Sequence, residues 1–242
     1  MTMNWIKADW PAPDFIKAGT TVRQGGMSKA PYNSFNLATH VGDDIDAVLH
    51  NRRCLELPQQ PQWLEQIHST KAVLLPNDVI IPKADAVYSF SENTVCAVMT
   101  ADCLPLLITD KDGSCVAAIH AGWRGLCDGI IENTINKLPT KAASLLVWLG
   151  PAIGSAVYEV GHDVYDAFTQ KDEDAKLAFK ATDAQHWLFD IYTLAKQRLY
   201  KMGVQQIYGG DRCSFSEEEH FFSYRRDNIT GRMASMIWIE RE

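Results

Sequence analysis

The sequence predicts an α/β fold of the layered α+β kind: a mixed sheet flanked by helices. Three observations carry this prediction. Between Val95 and His120 the chain passes through three short apolar runs separated by turn residues. After His120 the apolar residues change from continuous runs to helical spacing. Strand-like and helix-like segments then keep alternating, an order that suits helices packed on sheet layers. No internal repeat, low-complexity tract or Pro/Gly/Ser linker interrupts the 242 residues, so one domain over 1–242 is expected.

In chain order, residues 20–45 include RQGGMSKAPYNSFNLATHVGDD, where paired Gly, Pro and Asn without steady periodicity predict an ordered loop. Val95–Met99, Leu104–Thr109 and Cys115–His120 follow as strands, and KDGS forms a hairpin-like turn between the second and third. In GWRGLCDGIIENTINKL, Leu126, Ile130, Ile131, Ile135 and Leu138 recur at helical spacing. SLLVWL is a strand ended by Gly150-Pro151. Helical patterns follow in VYDAFTQ and in LFDIYTLAKQRLYKMG, the second stopped by Gly203, a residue suited to a helix C-terminus. RMASMIWIE closes the chain with strand-like alternation.

Composition narrows the function. A formal charge of −7 argues against a phosphate-backbone binder, which needs clustered Lys and Arg, so no nucleic-acid partner is expected. The longest weakly polar run, AASLLVWLGPAIGSAV, is too short to span a bilayer and is broken by Gly-Pro, so no membrane partner is expected either. MTMNWIKADW lacks a basic segment followed by an apolar core, which predicts a cytoplasmic protein without a secretory signal. The six cysteines (54, 96, 103, 115, 127 and 213) contain no Cys-x-x-Cys pair and read mostly as buried thiols, not as a disulfide framework.

Two positions stand out chemically. His120 ends a strand and is followed by AGWRG, which opens a helix, and the ends of sheets beside helix N-termini are where α/β proteins commonly place ligands. Cys103 interrupts an apolar stretch beside Asp102, and His68 follows an amphipathic segment in WLEQIHST. One thiolate and two imidazoles make a zinc set with a fourth position left for substrate. A packed core histidine and structural thiols are the alternative. Spacings of 35 and 17 residues between these positions do not decide between them.

The motifs TVRQGG…PYNSFNLATHVGDD, WLEQIHS, TADCLPLLITD, AAIHAGWRGL, LGPAIG…YEVG and FFSYRRDNITGRMAS occur in this order over nearly the whole chain. In these the sequence resembles the laccase-domain (YfiH-type) family, described both as multicopper polyphenol oxidases and as purine nucleoside phosphorylases. The resemblance implies a layered α/β domain similar to the catalytic domain of the cytotoxic necrotizing factor toxins, which are cysteine-dependent deamidases. It also implies zinc on His68, Cys103 and His120. Ala38 and Ser69 stand where the family pattern commonly has Gly, a departure that bears on loop shape.

True multicopper oxidase chemistry needs many histidines, typically paired as His-x-His, whereas this chain has seven with no such pair. A lone nitrogen/sulfur site would take copper by substitution. With the oxidase excluded, the resemblance implies a zinc-dependent purine nucleoside phosphorylase acting on adenosine, inosine and methylthioadenosine, with adenosine deamination as an accompanying activity. The chain lacks both the phosphate-loop signature and the motif of the zinc nucleobase deaminases. The competing reading is a cysteine- or zinc-dependent amide hydrolase that edits peptidoglycan precursors carrying a nucleotide-linked muramyl amino acid, a role proposed for the family. For phosphate, Arg23, Arg124, Arg225 and Arg226 are candidates, with Arg23 and Arg225 favoured beside the turn-rich motifs. Asn36, in the loop that follows Arg23, is a further substrate candidate. Asp102 is a candidate general base or a partner orienting a histidine ligand. Trp123, Phe221 and Tyr224 are candidates to stack on a purine.

Overall fold

A computed structural model describes residues 5–241. The chain begins with β1 (Trp5–Lys7), β2 (Ile16–Thr21), α1 (Ile45–Arg53), β3 (Ala72–Leu74), β4 (Ala86–Ser89) and β5 (Cys96–Thr100). Next come β6 (Leu104–Asp110), β7 (Val116–Ala121), α2 (Trp123–Asp128), α3 (Ile130–Ile135), β8 (Leu145–Leu149), β9 (Glu159–Gly161) and α4 (His162–Thr169). The rest is β10 (Phe179–Ala181), β11 (His186–Phe189), α5 (Ile191–Lys201), β12 (Gln206–Gly209), α6 (Tyr224–Asp227) and β13 (Met233–Ile239). They assemble as a mixed α/β fold with three sheets: β12-β8-β6-β7-β4-β3, β1-β2-β13-β5, and a small β10-β11-β9.

The apolar runs are continuous because their strands are buried on both faces. Leu106 and Ile108 of β6, Ile119 of β7 and Val147 of β8 pack against Ile130, Ile131 and Ile135 of α3 and Leu194 and Leu199 of α5. The intervening Leu107, Ala118 and Trp148 face the other way, onto Ile16, Cys96, Val98 and Ile237 of the four-stranded sheet. The outer side of that sheet, including Ala97, Met99 and Met236, is covered by Phe35 and Leu37 of the turn-rich loop. Side chains alternate across each strand while both neighbours are apolar, so no polar residue marks the period. The layers are therefore helices, six-stranded sheet, four-stranded sheet and loop.

Two expectations need adjustment. The helix expected over GWRGLCDGIIENTINKL is broken in two at Gly129, whose φ of 99° lies in the left-handed region that ends α2 and caps α3. The segment LFDIYTLAKQRLYKMG gives only its second part to helix, because Leu188 and Phe189 finish β11 and Asp190 caps α5 through its side chain on Thr193 N. Gly203 does follow the end of α5 with φ of 90°. Among the described residues no helix is long and apolar enough to cross a membrane.

The crossing between the two large sheets positions the chemistry. β5 belongs to the four-stranded sheet and β6 to the six-stranded one, so Ala101–Asp102–Cys103 carries the chain from one layer to the next. That step interrupts the apolar pattern at TADC and leaves Cys103 at the sheet ends, near His120 of β7, whose register partner on β6 is Pro105.

Candidate metal centre

His68 lies in the loop before β3, Cys103 in the crossing and His120 at the end of β7. Their ligating atoms all lie within 4.8 Å of one another. The two imidazole rings meet edge to face with centroids 4.8 Å apart. His120 is buried, Cys103 partly buried and His68 exposed, so the group opens to solvent on one side.

One carboxylate ties this group together, and the sequence did not announce it. Asp85, fully buried, precedes β4, whose register (Ala86 opposite Ile119) sets it across from His120. Its Oδ1 lies 2.8 Å from His120 Nδ1 and accepts from His68 N at 2.9 Å. Its Oδ2 accepts from Ser69 N at 2.6 Å and from Ser69 Oγ at 2.7 Å. His68 has φ of 58°, in the left-handed region that histidine enters more readily than most residues. The Asp85–His120 contact fixes which ring nitrogen is spent on the carboxylate and leaves Nε2 for the centre. Burial pushes the Asp85 carboxyl up, but hydrogen bonds from His120 and Ser69 outweigh it and hold it below the usual carboxylate range.

The residues suit a metal. A tetrahedral centre with Zn–S of about 2.3 Å and Zn–N of about 2.0 Å has ligand–ligand edges of about 3.5 Å, so the group need close only slightly. Gly122 supplies the room: a Cβ there would fall 2.5 Å from His68 Nδ1 and 3.3 Å from Cys103 Sγ. The donor set suits zinc, and it suits copper too, which nitrogen/sulfur sites generally bind more tightly. Without metal, burial lowers the basicity of His120, but Cys103 and Asp85 outweigh it and raise its pKa to about 9. A bound cation must displace that proton. Zinc affinity, followed by chelator competition, is expected to climb from pH 6.5 to about 9 and then level off. A flat profile would contradict this.

Beside the group opens a cavity of about 410 Å³, within the size range of small-molecule sites. Its walls carry three guanidinium groups, each over an aromatic face: Arg124 over Trp123 (4.3 Å), Arg225 over Tyr158 (5.3 Å) and Arg232 over Tyr224 (5.9 Å). Nη1 of Arg225 donates to Glu159 O at 2.9 Å, and Nη1 of Arg232 donates to Thr230 O and Gly231 O. Arg124 and Arg225 are exposed and Arg232 is partly buried. Of the sequence candidates for substrate contacts, Trp123, Arg124, Tyr224 and Arg225 line this cavity; Tyr158, Arg232 and His40 line it too and were not among them. All three sit in motifs that stood out as blocks, YEVG, TGRMAS and ATHVGDD, yet nothing about them individually distinguished a site residue from a packed one.

Other candidates are placed elsewhere. Arg23 donates to Asn33 O and Glu218 O and lies outside this cavity. Asn36 is fully buried, bonding Ala38 and Asp43 and accepting from Arg232 N, and it shapes the loop behind the site. Arg226 donates to Ser214 O, Phe215 O and Phe221 O, which fixes the 214–221 segment, and Phe221 itself is fully buried. Asp102 lines the cavity, but its oxygens accept from Ser214 Oγ (2.6 Å) and from Arg225 N (2.7 Å), so it anchors the start of α6. The carboxylate that touches a histidine of the group is Asp85.

The family model described as multi-copper polyphenol oxidoreductase laccase matches residues 17–240. A Haemophilus influenzae protein named purine nucleoside phosphorylase is 52% identical, over 98% of this chain and 100% of its own. An Escherichia coli protein named purine nucleoside phosphorylase YfiH is 49% identical, over 97% and 98%. Among solved structures, a Neisseria meningitidis protein of family DUF152 superposes with a TM-score of 0.94 at 45% identity, covering 98% of this chain and 100% of that one. YlmD from Geobacillus stearothermophilus superposes with a TM-score of 0.93 at 29% identity, covering 100% and 98%. The chain belongs to the multi-copper polyphenol oxidoreductase laccase family.

Proposed function

We propose that this protein is a zinc-dependent purine nucleoside phosphorylase that takes adenosine, inosine or methylthioadenosine, with phosphate as second substrate. The observation that carries the reading is the joining, in one cavity, of the His68–Cys103–His120 group to three aromatic faces and three guanidinium groups. The purine nucleoside phosphorylase names of the relatives support the same reading. His68, Cys103 and His120 would hold the zinc, which when bound would supply Lewis-acid polarisation of the substrate. Trp123, Tyr158 and Tyr224 offer the flat apolar surface a purine stacks on. Arg124 is the primary phosphate ligand, because its side chain is exposed and leans only on Trp123, and Arg225 and Arg232 extend the positive wall. Asp102 keeps α6, and so Tyr224 and Arg225, against the cavity. In the reaction an oxygen of hydrogen phosphate bonds to C1′, the bond from C1′ to the purine nitrogen breaks, and the purine leaves with the proton that the phosphate gives up.

The test is chromatographic. Zinc-loaded protein given adenosine should release adenine and ribose 1-phosphate only when phosphate is present. Arg124→Ala should raise the KM for phosphate about tenfold or more, the effect of one lost charged hydrogen bond, with kcat less changed. Inosine formed without phosphate would reveal the accompanying deamination. No turnover in either condition would reject the proposal.

One observation favours a second reading. Cys103, His120 and Asp85 stand in the order nucleophile, base and orienting carboxylate, the last pair 2.8 Å apart. Such a triad cleaves amides without a metal. Turnover of a nucleotide-linked muramyl amide by chelator-treated protein would support this amide hydrolase, and strict metal dependence would reject it.

A further inference from the structure

Asp85 is a fully buried carboxylate with five donors. Asp85 accepts from the main-chain nitrogens of Ile67 (3.3 Å), His68 (2.9 Å) and Ser69 (2.6 Å), from Ser69 Oγ (2.7 Å), and lies 2.8 Å from His120 Nδ1. Its own backbone is also engaged. Asp85 N donates to Lys71 O at 2.9 Å, and Asp85 O accepts from His120 N at 2.7 Å. A fully buried charge is costly unless every lone pair is met, and this one is met by groups belonging to the two histidine segments and little else.

We propose that Asp85 is a positioning residue that presets two of the three metal ligands together, with Ser69 as its essential support. The inference rests on the metal-site reading above and deepens it. Asp85 orients the His120 ring through Nδ1 and holds the His68 backbone in its left-handed turn, so both imidazoles are in place before an ion arrives. The hydroxyl of Ser69 does more than fill a loop position. It binds Oδ2 and accepts from Lys71 N at 3.2 Å, tying the turn that carries His68 to the start of β3. A glycine at this position would lack that tie. Presetting stores the ordering cost in the fold, so it is not charged against metal affinity.

The test measures metal and leaves catalysis aside. Zinc affinity by chelator competition, and the visible spectrum of the cobalt-substituted protein, are compared for wild type, Asp85→Asn, Ser69→Ala and Ser69→Thr. Asp85→Asn is expected to weaken zinc about 10- to 100-fold, the usual range for removing a carboxylate that orients a histidine ligand. Ser69→Ala should weaken it about fivefold, one hydrogen bond's worth. Ser69→Thr should restore most of the affinity. Cobalt bands should move away from the tetrahedral pattern in Asp85→Asn and Ser69→Ala, a change that a residue supporting only the fold would not produce. If Asp85→Asn fails to fold, the serine pair decides alone. Zinc affinity within twofold of wild type in Ser69→Ala, with unchanged cobalt bands, overturns the inference while leaving the metal site standing. A wild-type protein that holds neither zinc nor cobalt overturns the metal-site reading itself and the inference with it.

Discussion

Cys103→Ala is expected to remove almost all bound metal and all turnover while leaving the protein folded. Apparent binding free energies of about 10–16 kcal/mol for four-ligand zinc sites correspond to about 3–4 kcal/mol per ligand, so losing the thiolate should weaken zinc by roughly two to three orders of magnitude. The fold should be spared because Cys103 lies in the crossing between sheets and is only partly buried, outside the clusters that form the core. Metal content after dialysis, thermal unfolding and adenosine phosphorolysis check the three parts. Full metal occupancy in the variant would remove Cys103 from the ligand set. His68→Ala then separates the chemistries. A metal enzyme loses activity with His68, whereas a Cys103–His120–Asp85 triad keeps all three of its members and continues to turn over.

How far the sequence reached differs between fold and site for one physical reason. Strands β5 to β8 were legible because burial on both faces demands unbroken apolar runs, and β13 was legible through its strand-like alternation. The shortest strands were not. β3, β9 and β10 have three residues each, too few to display any period. In the site, Cys103 and His120 announced themselves by breaking apolar runs, and the family resemblance pointed to the pairing with His68. Asp85 gives a fainter sign of the same kind, a carboxylate between two alanines just before a strand, and nothing in PKADAVYSF separates it from a solvent-facing carboxylate. Arg23 drew attention by its motif, but attention to a motif does not say which way a side chain turns. Only the three-dimensional register, with Asp85 across from His120, distinguishes the carboxylate that touches the group from Asp102, which sits beside Cys103 in sequence and faces Ser214 and the α6 backbone.

Gly122→Ala should reproduce the metal loss of His68→Ala with a single methyl group and no ligand removed. Gly122 caps α2 with φ of −65° and ψ of 160°, a conformation alanine adopts freely, so no backbone strain is introduced. What the new Cβ meets is the site: His68 Nδ1 at 2.5 Å, His68 Cε1 at 2.9 Å and Cys103 Sγ at 3.3 Å. The imidazole must move, and it can, because His68 is exposed. The clash therefore costs geometry and leaves stability nearly untouched. Thermal unfolding is expected to shift little, while zinc affinity falls about 100-fold or more, as for loss of a ligand. Gly26 is the contrasting control. A Cβ there would lie 2.3 Å from Ser34 O and 2.7 Å from Phe35 Cα, atoms of the main chain, so Gly26→Ala should destabilise the loop covering the four-stranded sheet. Zinc binding by Gly122→Ala within twofold of wild type would mean that His68 does not ligate from the position it occupies against Gly122. Loss of zinc with an unchanged melting curve would locate the metal in the space that the missing side chain leaves between His68 and Cys103.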